Sequence, residues 1–346
     1  MTLSTFAQKL VIWQKQSGRH NLPWQVQDPY HVWLSEIMLQ QTQVATVLNY
    51  YPRFITAFPN IESLANAKED DVMALWSGLG YYSRARNLHK AAKQVMSEFQ
   101  GIFPDTREHL EKLCGIGRST AAAICAFSFQ KREAILDGNV KRVICRVFAL
   151  DGNPIDKKFE QTLWQKAESL LPESNNMGRY TQGLMDLGAT ICTRTKPKCL
   201  LCPMNDICQA KTQNLIHLLP RKKEKKAVPT KVLYWLIITN KNKQILLVKR
   251  PSKGIWGGLY CLPTFEQLND AQQFLKEHQL DLNDFEQYDE IKHRLTHFLL
   301  LITPFLFTSV EDIHLHAPYE WVNEIDLNNK ALPTPLVKLL AQQKVF

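Results

Sequence analysis

The sequence predicts a two-part protein, in which a mostly α-helical N-terminal part is followed by a smaller α+β domain. At 346 residues the chain is long for one hydrophobic core. Up to about residue 210, apolar residues recur at the three- or four-residue spacing of helices, and beyond Lys231 short β-rich runs replace them. Between the two lies PRKKEKKAVPT, a proline-bracketed charged run with almost nothing to bury, which is typical of a linker.

The helical part begins with an amphipathic helix in which Phe6, Leu10 and Trp13 share one face, and this start lacks the features of a signal peptide. Nine further helical segments follow, separated by clusters of Pro, Gly, Asn and Asp. They are residues 29–50, 60–67, 69–77, 83–99, 106–112, 118–128, 138–149, 157–170 and 177–191.

The C-terminal part contains the strand-like runs VLYWLIIT, QILLVKR, HFLLLITPFLF and PYEWVN, with one helical stretch, DAQQFLKEHQL, between them. We therefore expect a helical region over residues 1–218, a basic linker over 219–231 and a small α+β domain over 232–346.

The net charge of +9 is unevenly distributed along the chain. Residues 1–218 carry 25 Lys and Arg against 19 Asp and Glu, residues 219–231 carry 6 against 1, and residues 232–346 carry 11 against 13. A basic N-terminal part and a basic linker favour a polyanionic partner such as nucleic acid, although basic surfaces are often merely solvated.

The most specific pattern is the C-x6-C-x2-C-x5-C loop over residues 192–208, formed by Cys192, Cys199, Cys202 and Cys208. Four thiolates this close can surround tetrahedral zinc or an iron–sulfur cluster. The other four cysteines are scattered, which fits a reducing compartment, and we expect a cytoplasmic protein. No stretch is apolar enough to span a membrane.

Two segments could hold catalytic carboxyl groups. Asp137, in ILDGNVKRV, is expected at a helix N-cap, where helix N–H groups and the dipole stabilise its charge. Glu36, in WLSEIMLQQTQV, lies on a mostly apolar helix face, which should raise its pKa and make it a proton donor. Such a pair suits acid-assisted glycosidic cleavage; a simple capping Asp and a solvated Glu are the ordinary alternatives.

A third segment, LCGIGRSTAAAI, is expected to form a hairpin between two helices. Gly115 and Gly117 allow the tight turn, and the next helix presents N–H groups beside Arg118. This arrangement can grip a phosphate without contacting a base.

Together, these segments resemble the helix–hairpin–helix DNA glycosylase superfamily. More narrowly, YHVWLSEIMLQQTQVATV, LWSGLGYYSRARNLHKAA, GIGRSTAAAI, ILDGNVKRV and MDLGATICTRTKPKCLLCP resemble the MutY family, over nearly the whole chain. The resemblance implies a six-helix barrel with a cluster domain, a C-terminal MutT-like (Nudix-type) domain, and a [4Fe–4S] cluster rather than zinc. Its implied substrate is double-stranded DNA with adenine opposite 8-oxoguanine or guanine, from which adenine is flipped out and removed.

The resemblance also implies roles for individual residues. Glu36 would protonate adenine and handle the water, Asp137 would stabilise the sugar cation, and Asn139 would orient the site. Residues expected to wedge into the stack or touch the orphaned base are Gln41, Thr42, Leu79 and Tyr81. The family's Phe-Ser-His recognition loop corresponds to Leu295, Thr296 and His297, and Cys114 stands where the hairpin usually has proline.

Two departures from related enzymes define the expected activity. Glycosylases that also nick the strand carry a lysine where this chain has Ser119, so we expect base excision without an efficient lyase step. The C-terminal domain lacks the acidic R-E-x-x-E-E cluster of Nudix hydrolases, so we expect it to recognise the lesion rather than hydrolyse nucleotides. The remaining alternatives are an endonuclease III-like enzyme, a zinc-held DNA-binding scaffold and a Nudix hydrolase. We expect a monomer; the sequence specifies no partner for the linker.

Overall fold

The structure is a computed structural model that describes residues 5–222, 227–280, 285–310 and 317–342. These residues form two compact units. The first contains residues 5–66 and 87–222, and the second contains residues 67–86 together with the C-terminal residues from 227 onward. The grouping of residues 67–86 with the C-terminal part was not anticipated from the sequence; the boundaries predicted at 218 and 231 remain predictions.

The described part of the chain before residue 223 is helical, with three short irregular turns. The helices are α1 Thr5–Ser17, α2 Pro29–Leu39, α3 Val44–Ala57, α4 Ile61–Asn66, α5 Glu69–Trp76, α6 Ser83–Phe99, α7 Arg107–Leu110, α8 Arg118–Phe129, α9 Gly138–Val147, α10 Lys157–Ser169, α11 Met177–Asp186 and α12 Gln209–Thr212. A π-helical turn over Leu187–Ile191 continues α11 directly into the cysteine loop.

The predicted single helix over residues 29–50 is wrong, because the chain breaks between α2 and α3. Gln40 leaves the helical region at ψ 111°, and Gln41 adopts a left-handed conformation at φ 57°. Such a conformation is uncommon for a residue other than glycine and ends the helix. Helical periodicity continues across the break, so the apolar pattern alone did not reveal it.

The core of the first unit is built around α1, α8, α9 and α11. Phe6 and Leu10 of α1 pack in the same buried cluster as Val140 and Ile144 of α9. Met204 and Cys208, from the cysteine loop, belong to this cluster as well. The loop is therefore anchored to the same core that supports α9.

The second unit contains a mixed sheet. Its strands are β1 Thr230–Asn240, β2 Gln244–Lys249, β3 Tyr260–Cys261, β4 Thr264–Phe265, β5 Glu286–Gln287, β6 Ile291–Arg294, β7 Leu299–Val310 and β8 Tyr319–Asn323. The central strands β1 and β7 run parallel, with Thr230 opposite Leu299, and β2 pairs antiparallel with both β1 and β8. Helices α13 Leu268–Glu277 and α14 Thr334–Gln342 complete the unit, and α13 packs Phe274 against Leu236 and Ile238.

No helix among the described residues is both long and apolar enough to cross a bilayer.

A buried ion pair joins the end of α1 to α11 in the first unit. The Asp186 side chain is 1% exposed and accepts hydrogen bonds from the Arg19 backbone N–H (2.9 Å), from Arg19 Nε (2.7 Å) and from Gln182 Nε2 (2.8 Å). All of these donors lose their acceptor if the carboxylate is removed.

We predict that Asp186→Ala lowers the free energy of unfolding by about 3 kcal/mol, because it leaves a partly buried guanidinium unpaired. The matched control is Asp151→Ala, which removes an exposed pair with Arg221 and should leave the free energy of unfolding close to that of the wild type. Guanidinium titration followed by tryptophan fluorescence measures both. Equal effects of the two substitutions would contradict the prediction.

Candidate active site

A cavity of about 1680 Å³ in the first unit brings together most of the residues predicted for the site. Its lining includes the predicted residues Glu36, Gln41, Thr42, Gly117, Arg118, Ser119, Asp137 and Asn139. The cavity is large enough to hold a nucleoside-sized ligand. Residues that are far apart in sequence therefore line one cavity, while their roles remain predictions.

Glu36 lies on α2 and faces this cavity from a mostly apolar helix. Its neighbours Ser35 and Ile37 are buried, whereas the Glu36 side chain keeps part of its surface toward the cavity. Burial raises the pKa of the Glu36 carboxyl to about 8, and the nearby Asp137 charge adds to the rise. At neutral pH the carboxyl therefore holds a proton that it can donate.

Asp137 is the N-cap of α9, as predicted. Its Oδ1 accepts hydrogen bonds from the backbone N–H groups of Asn139 (2.9 Å) and Val140 (2.8 Å). The segment before it is also fixed, because the Leu136 N–H donates to Ser119 Oγ at 3.0 Å. Ser119 thus has a structural part in the site, because it holds the segment that leads into the capping carboxylate.

Asn139 is connected to the cysteine loop through Arg142, a residue that the sequence analysis did not single out. The Arg142 guanidinium donates to Asn139 Oδ1 (2.9 Å), to the Gly188 carbonyl (2.8 Å) and to the Cys192 carbonyl (2.8 Å). Asn139 also lies against Gly188, where an added Cβ would come within 2.7 Å of the Asn139 Cβ. The signal available in the sequence was the position of Arg142, three residues after Asn139 on the same helix.

The four cysteines of the loop line a second, smaller cavity together with apolar side chains. Arg146, which is 2% exposed, holds the loop by donating to the carbonyls of Thr193 (2.7 Å) and Arg194 (3.1 Å) and to Cys192 Sγ (3.5 Å). The exposed rim of the loop carries Arg194, Lys196 and Lys198.

The loop offers four thiolates, which is the ligand set of either metal centre that the sequence predicts. A tetrahedral zinc is bound by four sulfurs at about 2.3 Å, whereas a [4Fe–4S] cluster takes one thiolate on each iron. Cys192, Cys199, Cys202 and Cys208 line one cavity, so these four residues would hold the cluster, which would link four points of the loop.

The helix–hairpin–helix is present at α7, residues 111–117 and α8. Gly115 adopts φ 80°, and an added Cβ would lie 2.8 Å from Asn87 Cβ, so glycine is required both by backbone conformation and by packing. Gly117 is the N-cap of α8 and has open space around it. The Arg118 guanidinium pairs with Glu168 and lies 3.9 Å from the centre of the Trp164 ring, so in this structure it is engaged within the protein.

The remaining predicted contact residues lie in the second unit. Leu79 is 6% exposed and Tyr81 is 46% exposed. Thr296 and His297 are exposed at the turn between β6 and β7, and Tyr81 Oη lies 3.3 Å from Thr296 Oγ1. The structure thus joins Tyr81 and Thr296, while Gln41 and Thr42 line the cavity of the first unit.

This fold and site define the chain as a base-excision DNA N-glycosylase of the helix–hairpin–helix class. Residues 34–169 match the HhH-GPD superfamily of base excision DNA repair proteins, residues 192–208 match the iron–sulfur binding domain of endonuclease III, and residues 234–342 match the NUDIX domain. The cofactor prediction of an iron–sulfur cluster is confirmed by the match to the iron–sulfur binding domain.

Similarity to individual proteins shows to which family of DNA glycosylases the chain belongs. An adenine DNA glycosylase of Buchnera aphidicola is 40% identical over 350 residues, covering 100% of this chain and 99% of the relative, and the human adenine DNA glycosylase is 42% identical over 60% of this chain and 40% of its own length. The chain belongs to the adenine DNA glycosylase family. Among solved structures, a thermostable thymine-DNA glycosylase matches 60% of this chain and 95% of its own with a TM-score of 0.54 at 28% identity. An endonuclease III in a DNA complex matches 62% of this chain and 99% of its own with a TM-score of 0.52 at 19% identity, which shows the shared fold.

We predict that Glu36→Gln abolishes activity while stabilising the protein at pH 7. The wild-type carboxyl has a pKa of about 8 in the folded state and an ordinary value when unfolded. The stability that the protonated carboxyl gives the folded protein is therefore fully present below about pH 4.5 and is lost as the pH rises through 8. Gln removes this dependence. We expect a gain of about 1–3 kcal/mol at pH 7 that shrinks toward pH 5, measured by denaturant unfolding at both pH values. A gain that did not change with pH would contradict the assignment.

We predict that Arg142→Ala lowers the single-turnover rate of base excision by about 10- to 100-fold, because Asn139 and the Cys192 carbonyl lose their common donor. Arg142→Lys should retain only part of the wild-type rate. The lysine ammonium lacks the planar set of donors of a guanidinium, so it cannot contact all three acceptors. Iron content per protein, measured in parallel, reports whether the loop still holds its cluster. The control is Arg132→Ala, which loses only hydrogen bonds to the carbonyls of Leu171 and Pro172 and should retain the wild-type rate.

Proposed function

We propose that the enzyme hydrolyses the N-glycosidic bond of adenine mispaired with 8-oxoguanine or guanine in double-stranded DNA, leaving an abasic site. The observation that carries this proposal is the pair of carboxyl groups at one cavity. Glu36 is held protonated by burial, and Asp137 is held by two helix N–H groups. An acid and a stabilising carboxylate are what departure of a purine from a sugar requires.

The proposed reaction balances over these two groups. The Glu36 carboxyl donates its proton to N7 of the flipped adenine, and the bond between N9 and the sugar carbon breaks, with its electron pair leaving on adenine. The Asp137 carboxylate stabilises the cation that develops on the sugar. Water then adds to the sugar carbon, and its proton returns to the Glu36 carboxylate. Asn139, fixed by Arg142, orients the groups around the sugar.

The residue at position 119 supports the proposal that the enzyme has no efficient lyase step. A Schiff base with the sugar requires an amine, and Ser119 supplies a hydroxyl that already accepts the Leu136 N–H. We therefore propose a monofunctional enzyme, as the sequence predicted.

Recognition of the opposite base is proposed for the turn around Tyr81 and for Thr296 and His297. Tyr81 and Thr296 are within hydrogen-bonding distance and exposed, so they can bind the same ligand edge. Gln41 and Thr42, at the helix break, are proposed to enter the stack as adenine leaves it. Gly115, Gly117 and the basic rim of the cysteine loop are proposed to contact phosphates. We further propose that the enzyme acts as a monomer in the compartment that contains the DNA, which in a bacterium is the cytoplasm.

The decisive experiment uses duplexes with adenine opposite 8-oxoguanine, opposite guanine and opposite thymine, together with one that carries thymine glycol. Alkali reveals abasic sites. We expect the first two to be cleaved after alkali and not before it, and the last two to survive. Asp137→Asn should lower the single-turnover rate at least 1000-fold, because the developing cation loses its counter-charge.

The matched control is Asp156→Asn, which changes another N-cap carboxylate. Asp156 Oδ1 accepts hydrogen bonds from the N–H groups of Lys158 and Phe159 at the start of α10. This control therefore measures the effect of losing a capping carboxylate that takes no part in the proposed reaction. Wild-type excision by Asp137→Asn would overturn the mechanism. Strand breakage without alkali, as fast as base loss, would overturn the monofunctional assignment.

A further inference from the structure

Two hydroxyl groups of the 67–86 segment converge on one carbonyl of the C-terminal chain. Ser77 Oγ donates to the Leu332 carbonyl at 3.0 Å, and Tyr82 Oη donates to the same oxygen at 3.3 Å. Tyr82 Oη also accepts the Gly78 N–H at 3.1 Å. A single phenol thus joins the backbone at Gly78 to the backbone at Leu332.

The receiving carbonyl is itself fixed on the sheet. The adjacent Ala331 carbonyl accepts the Tyr260 N–H of β3 at 2.9 Å, and the Leu332 side chain is 5% exposed. Pro333, the next residue, accepts the Leu336 N–H at the start of α14. The Leu332 oxygen therefore presents a rigid acceptor to the 67–86 segment.

A second group of contacts holds the same segment at α5. Asp70 accepts from Lys249 Nζ at 2.5 Å and from Tyr260 Oη at 3.1 Å. Lys330 Nζ lies 4.4 Å from the centre of the Tyr260 ring. At the other end of the segment, Arg86 donates to the Gly257 carbonyl at 2.5 Å. The 67–86 segment is thus attached to the C-terminal part of the unit at three places.

The turn between these attachments has an uncommon backbone. Gly78 (φ 90°), Gly80 (φ 77°) and Tyr81 (φ 49°) all have positive φ within four residues, and a tyrosine in that region is strained. Arg84, which is 8% exposed, donates to the Gly80 carbonyl at 3.0 Å, and Trp76 Nε1 donates to the same carbonyl at 3.2 Å. Such a conformation persists only where the surroundings over-determine it.

We propose that Ser77 and Tyr82 are positioning residues for recognition of the base opposite adenine: by docking on the Leu332 carbonyl, they set the distance between the Tyr81 and Thr296 hydroxyls. This inference rests on the proposed function, in which those two hydroxyls bind the orphaned base. Neither Ser77 nor Tyr82 touches substrate in this scheme. Their loss should therefore weaken discrimination and leave proton donation by Glu36 in place.

The test compares full-length wild type, the double variant Ser77→Ala/Tyr82→Phe and the control Tyr288→Phe, a tyrosine elsewhere in the same unit that makes none of these contacts. Single-turnover excision from adenine opposite 8-oxoguanine and opposite guanine is measured over a range of enzyme concentrations. We expect the double variant to lose about tenfold of the wild-type preference for 8-oxoguanine, through a higher enzyme concentration at half-maximal rate, with the saturating rate within about twofold of wild type. Hydrogen exchange at residues 76–84 should accelerate in the double variant only.

The outcomes separate the two hypotheses. A wild-type enzyme that removes adenine from neither duplex overturns the proposed substrate, and this inference with it. A wild-type enzyme that removes adenine from both duplexes without preferring 8-oxoguanine leaves the proposed substrate in place and overturns the positioning role. A wild-type enzyme with the preference and a double variant that keeps it overturns the positioning role alone. An equal fall in the saturating rate on both duplexes, accompanied by a lower thermal midpoint, also overturns it, because a general loss of structure would produce that result.

Discussion

The site depends on the capping interaction of Asp137 with the first turn of α9. Two N–H groups of the helix bind one oxygen of the carboxylate, so the charge is held where the helix dipole favours it. The same helix carries Asn139 toward the cavity and Arg142 toward the cysteine loop. A shift in where α9 begins would displace the carboxylate, the amide and the guanidinium together. The geometry of the cap therefore also sets the geometry of the groups in the proposed reaction.

Glu36 and Asp137 are both carboxyl groups, and the fold gives them opposite surroundings. Glu36 lies on an apolar helix and is kept neutral by burial, whereas Asp137 lies beside N–H donors at the edge of the cavity. Because the Asp137 charge also raises the pKa of Glu36, the pair is coupled: stabilising the anion helps to retain the proton. Near neutral pH the protein is therefore less stable with the Glu36 carboxyl than it would be with an amide at this position, as expected where function and stability compete.

Several of these features were predictable because they depend on local sequence. Asp137 followed by Gly138 and Asn139 is an N-cap pattern, and α6 and α8 begin where their predicted segments begin. The helix break at Gln41 was not predictable, since no glycine or proline marks it. Nor was the pairing of Arg118 with Glu168, which are 50 residues apart, or the grouping of residues 67–86 with the C-terminal unit. These depend on tertiary contacts that leave no periodic signal in the sequence.

Burial and exposure follow different requirements in the two units. In the proposed reaction, proton donation requires a carboxyl removed from water, and the first unit has a cavity whose walls are fixed by helix packing and by the Arg142 and Arg146 contacts to the cysteine loop. In the proposed recognition, reading a base requires polar groups that remain accessible, and the second unit carries such groups on an exposed turn, at Tyr81, and on an exposed hairpin, at Thr296. Exposed turns are ordinarily mobile. The turn at Tyr81 instead has buried Arg84 and Trp76 beneath it and two hydroxyl contacts to Leu332 beside it, so an accessible residue is held with the precision that burial gives elsewhere. For this reason the specificity of the enzyme should be more sensitive to the supports of the turn than its chemical step is.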